Sequence, residues 1–244
     1  MLANELLKFR RSHFGVILLL IPGLSILLAA MNYQLNLRVL TPGWPSFLGQ
    51  TTLFYGMLFM NVGIAILAAT AWRREHKDNN ATFLLTSPRT RGSIVVAKAG
   101  VLIVLVAVMQ TVFFLLALAV GFILKVPGHP PLDVAVILLL AIIPGAAVAV
   151  WQSWLSMMTK SFTLPIVVAA GVSIAGAVLL AADITFFDYL LPPALVSRVM
   201  FAAGYATTGG STDPVVLVGY LVASGVLAVV GLVASAWWLR RADR

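Results

Sequence analysis

The sequence contains no cysteine at any of its 244 positions. Disulfides, thiolate metal sites and a cysteine nucleophile are excluded together. Charge is scarce as well: Asp, Glu, Lys and Arg make up 10% of the chain, and eight residues are acidic. The three histidines, His13, His76 and His129, fall in separate segments, so no metal cluster is expected. Missing too are a G-x-x-x-x-G-K-[ST] phosphate loop, a G-x-S-x-G elbow and an H-E-x-x-H pair. The chain is therefore not expected to be an enzyme, to hold ATP in a phosphate loop or to carry a cofactor of its own.

What is present is apolar. Hydrophobic residues make up 61% of the chain and the mean hydropathy is +1.03. A soluble fold of this length cannot hide that much apolar surface. Six apolar segments stand out, at about 14–31, 53–72, 94–124, 134–158, 164–182 and 215–239. Each reaches the roughly 18 residues a helix needs to cross a hydrocarbon core of about 30 Å. The expected fold is an all-α integral membrane protein, a single transmembrane domain over 1–244 with six transmembrane helices.

The few charges give an orientation. With the N-terminus taken as cytoplasmic, Lys8, Arg10, Arg11, Arg73, Arg74, Lys77, Arg89, Arg91, Lys98, Lys160, Arg240, Arg241 and Arg244 all face the cytoplasm. Only Arg38, Lys125 and Arg198 fall outside. That bias predicts both termini in the cytoplasm. The net charge of +8 then reflects topology and attraction to anionic lipid heads. With no soluble basic domain, nucleic acid is not an expected partner. The basic start followed by an apolar stretch resembles a secretory signal, but the stretch is long for one and no A-x-A site follows. A retained first span is expected.

Smaller features refine this picture. Leu2, Leu6, Phe9 and His13 share one helical face, which predicts an interfacial helix over 1–13. The segment 32–52 reads as an outer loop around Pro42, Gly43 and Pro45, with Tyr33 and Trp44 in the aromatic belt. The third segment is longer than the bilayer core, and Lys98 near its start points to an extension into the cytoplasm. Pro144-Gly145 predicts a bend in the fourth. Gly171 and Ala175, four apart, form a pair that permits close helix approach. Asn61, Gln110 and Gln152 are the candidates for lining a pathway. No acidic residue lies near the middle of a span, which removes the group that proton- or sodium-coupled carriers usually need. In the region 183–214, the ten apolar residues 194–203 include Arg198 and cannot cross. That region is expected to dip into the outer leaflet as re-entrant or short helices. Trp237-Trp238 and Arg240-Arg241 read as an anchor at the inner interface.

The largest cytoplasmic element is the loop 73–93. Charge is dense at its start, Phe83-Leu84-Leu85 follows, and Thr86-Ser87-Pro88 stops any helix there. An apolar patch in a polar loop is a candidate docking point. The run carrying Glu75, Thr82, Leu84, Leu85, Pro88, Arg91 and Lys98 resembles the loop between the second and third spans of ABC-2 type transporter permeases. It is particularly similar to the bacteriocin (lantibiotic) immunity and bacitracin-resistance branch, although Ala81 stands where that pattern has Gly. The resemblance implies a permease subunit that exports amphipathic peptides or hydrophobic drugs. Its energy would come from a separate ATP-binding cassette subunit that holds the ATP and Mg. The resemblance further implies that Glu75, His76, Thr82, Phe83, Leu84 and Leu85 form the coupling-helix contact with that subunit. A second permease copy, identical or a sister, would complete the pathway in a bacterial plasma membrane. The same topology also suits a non-transporting assembly or sensor protein whose loop binds a cytoplasmic partner.

Overall fold

The structure, a computed structural model, describes residues 14–76, 91–182, 184, 186–207 and 213–241. The expected helix over 1–13 lies outside these residues. Among them every regular element is helical, in nine α-helices. They are α1 (Phe14–Leu35), α2 (Trp44–Phe54), α3 (Met60–His76), α4 (Arg91–Ile123) and α5 (Leu132–Leu140), then α6 (Ile142–Met158), α7 (Thr163–Ala181), α8 (Pro192–Thr207) and α9 (Pro214–Arg241). A π-turn over Tyr55–Phe59 joins α2 to α3, and a 3-10 turn over Phe186–Leu190 precedes α8. By length and apolarity there are six candidate membrane spans: α1, α2 with α3, α4, α5 with α6, α7, and α9.

The second span begins at Trp44 rather than near residue 53, so much of the expected outer loop is helix. Pro45 falls in the first turn, where a missing N–H removes no helical hydrogen bond. Tyr33 and Trp44 do not form an interfacial belt. They are 2% and 1% exposed and build an aromatic cluster at this end of the bundle. The Tyr33 hydroxyl accepts from the Gly43 N–H at 3.0 Å, and the Trp44 ring meets Phe47 and Phe122 edge to face. Gly121 makes this possible, because a Cβ there would lie 2.4 Å from the Trp44 ring.

The fourth span is interrupted at Ala141, between α5 and α6. Pro144 has no N–H to offer the carbonyl of Leu140 one turn back. The bonds from Ala141 N to Ile137 O and from Gly145 N to Ala141 O, both 3.1 Å, persist on either side. The expected bend is thus a local break that begins ahead of the proline.

The short helix expected before the last span is α8, 16 residues inserted among α2, α5, α6 and α7. Leu195, Val196, Val199, Met200 and Ala203 are completely buried. Arg198 is brought inward by a partner: its Nε lies 2.5 Å from Asp188 Oδ2 in the 3-10 turn, with the two side chains 10% and 0% exposed. Pairing lowers the cost that a lone buried charge would carry.

The helix α6 lies at the centre, packed against α3, α4, α8 and α9. The helices α7 and α9 lie outermost, with 22% and 17% of their span windows buried against 61% for α2 with α3. Gly171 and Ala175 sit on the outward face of α7, and a Cβ at Gly171 would meet nothing. The close approach in α7 comes instead from Gly176, where a Cβ would lie 3.1 Å from Ala194 of α8.

Candidate functional site

Where α3 ends and α4 begins, at the two sides of residues 77–90, the helices are tied together by polar contacts. Glu75, in the last turn of α3, accepts from Lys98 Nζ of α4 at 2.9 Å, and the side chains are 8% and 4% exposed. The same ammonium lies 4.9 Å from the centre of the Trp72 ring, within cation–π range. The Trp72 indole N–H donates to Ser153 Oγ of α6 at 2.8 Å. His76 Nε2 lies 3.0 Å from the Ser156 carbonyl, so this nitrogen carries the hydrogen and donates. Three helices therefore share one polar junction: α3 supplies Trp72, Glu75 and His76, α4 supplies Lys98, and α6 supplies Ser153 and Ser156. Lys98 enters α4 seven residues after Arg91, so this helix runs about 10 Å past the ion pair at 1.5 Å per residue.

Six residues were expected to contact an ATP-binding subunit. Thr82, Phe83, Leu84 and Leu85 lie outside the described residues. Glu75 is turned inward to Lys98, and His76 is half-buried against α6. Both brace the junction of α3, α4 and α6. Lys98 enters the third span as its sequence position predicts, and it also pairs with Glu75 across the two helices. The signal was available in the two residues themselves, one acid and one lysine near facing span ends.

The three polar candidates inside the spans separate by environment. Asn61 is fully buried, and its Nδ2 lies 3.3 Å from the Gly56 carbonyl of the π-turn and 3.5 Å from the Pro193 carbonyl at the start of α8. Ser197 of α8 donates to the same Gly56 carbonyl at 3.2 Å. Gln110 is also buried, and its Nε2 donates to the Leu138 carbonyl at 3.0 Å, in the last turn of α5 before the break. These two amides therefore bind backbone where the helices are irregular. Gln152 differs. It borders a cavity of about 270 Å³ between α6, α7 and the segment leading into α8. The walls include Trp151, Trp154, Val168, Val172, Leu191 and Pro192. Gln152 Oε1 and Trp154 Nε1 are buried there without a hydrogen-bond partner. An acceptor and a donor left unmet in apolar surroundings are costly, and they favour a guest that brings both.

The fold and these sites define a multi-pass membrane protein whose loop-bearing end is mechanically joined to its interior. Residues 1–176 match the family model described as ABC-2 family transporter protein, and the chain belongs to that family. It is a permease component of a transporter rather than the catalytic part, and membership implies work with an ATP-binding subunit in a membrane complex. The match covers α1 to α6 and most of α7, and leaves α8 and α9 beyond it. No curated protein matches the chain.

Proposed function

We propose that this chain is one permease half of an exporter for amphipathic peptides or hydrophobic drugs, of the immunity and resistance type. It lies in a bacterial plasma membrane with both termini in the cytoplasm. A separate ATP-binding cassette subunit grips the segment 77–90 through Thr82, Phe83, Leu84 and Leu85, and binds the ATP and Mg. A second permease copy, identical or a sister, closes the pathway.

The observation that carries this reading is the junction of Glu75, Lys98, Trp72 and Ser153. A push on residues 77–90 displaces α3 and α4 together, and the Trp72–Ser153 and His76–Ser156 bonds hand that displacement to α6. The helix α6 carries Gln152 and Trp154 into the cavity of about 270 Å³. That cavity is mostly apolar with one unmet donor and one unmet acceptor, which suits a cargo with both apolar and polar faces.

The test separates ATP use from transport. Leu84→Asp puts a charge on the apolar docking patch and leaves the spans intact. In membranes carrying the complex at normal levels, ATPase activity should persist while export falls to background, a loss of about tenfold or more. Full export by that variant would refute the coupling role of residues 82–85.

A further inference from the structure

At the basic end of the bundle a second cavity opens, of about 360 Å³ and mainly polar. It is bounded by Arg73 and His76 at the end of α3, by Ser156, and by Thr159, Lys160 and Ser161 between α6 and α7. No carboxylate lines it among the described residues. Glu75, in the same last turn of α3, faces Lys98 instead. We infer that this cavity is a binding site for a phosphate group, carried by an anionic phospholipid or by a soluble molecule.

Four features converge on that chemistry. Arg73 and Lys160 bring fixed positive charge, and both are solvent-exposed enough to meet a ligand. The Arg73 guanidinium is steadied over the Phe162 ring, 5.3 Å from its centre, which limits the freedom lost on binding. The residue Ser156 is 2% exposed, and its Oγ is buried at the cavity without a hydrogen-bond partner. Such a hydroxyl is a donor waiting for an acceptor. The 19-residue helix α7 starts beside the cavity at Thr163, so its positive end adds to the field.

Position favours a lipid as the carrier. The cavity lies where α3 and α6 end and α7 begins, which is the depth of phospholipid head groups. Along α7 from the cavity rim, Leu164, Val167 and Val168 are exposed and offer an apolar track for an acyl chain.

The experiment uses the full chain in nanodiscs of phosphatidylcholine with a minor fraction of phosphatidylglycerol. Native mass spectrometry reads phosphatidylglycerol retained per chain. In a parallel arm, inorganic phosphate is added to pure phosphatidylcholine discs and thermal unfolding is followed. The double variant Arg73→Gln with Lys160→Gln should cut retention about tenfold. Ser156→Ala, which keeps every charge, should cut it by about threefold. The double variant Arg240→Gln with Arg241→Gln removes equal charge from the same end and should leave retention unchanged. A saturable, Arg73- and Lys160-dependent effect of inorganic phosphate alone supports the site and assigns it to a soluble carrier. Equal losses in the two double variants, or no specific retention and no phosphate effect, overturn the inference.

Discussion

At the scale of single residues, the junction of α3, α4 and α6 contains a buried ion pair. Lys98→Met would take the ammonium away from the buried Glu75 carboxylate, at a cost of up to about 3–5 kcal/mol. Thermal unfolding in nanodiscs should show a large drop for that variant. Adding Glu75→Gln should restore much of it, because an uncharged pair has no stranded charge. A double variant as unstable as the single one would mean that the pair is not the source. The two residues are plain in the sequence, one acid and one lysine near adjoining span ends. Their contact is not, because it depends on how α3 and α4 are rotated about their axes, and packing with α6 sets that. Asn61 and Gln110 carry the same lesson. An amide in an apolar run signals a polar role, but its partners here are backbone carbonyls at a π-turn and ahead of a helix break, features with no pattern of their own.

At the scale of elements, α8 is seated by a close approach that only glycine allows. A Cβ on Gly56 would fall 2.4 Å from the Met200 Cβ of α8. Gly56→Ala should therefore push α8 outward and destabilise the protein by about 1–3 kcal/mol, read as a lower unfolding temperature with the spans still inserted. Unchanged stability would show that α8 is held loosely. The elements legible in the sequence are those written in long apolar runs, and five of the six spans lie within a few residues of their expected places. The second span was read too short because Pro42, Gly43 and Pro45 resemble a loop, although Pro45 sits where a helix accepts it. The burial of α8 was hidden by Arg198. A charge argues against the interior until its partner is known, and Asp188 stands ten residues away in a different turn.

At the scale of the whole molecule, orientation is directly testable because the chain has no cysteine of its own. His129→Cys and Arg241→Cys each place a single thiol at an exposed position at opposite ends of the bundle. In intact cells a membrane-impermeant maleimide should label the first and spare the second until the membrane is opened. The reverse pattern would invert the topology, and with it the side on which an ATP-binding subunit docks.

The order in which the chain is made adds a consequence. The five spans before α8 supply most of the bundle wall, yet Leu195, Val196, Val199 and Met200 fill its middle. A ribosome feeding the membrane from the N-terminus delivers those side chains only after the five earlier spans. Until then the growing bundle has a gap beside the central α6, with the glycine notch at residue 56 already waiting. Premature termination shortly after residue 182 would leave every earlier helix in the bilayer and the product hollow, a natural substrate for quality-control proteases.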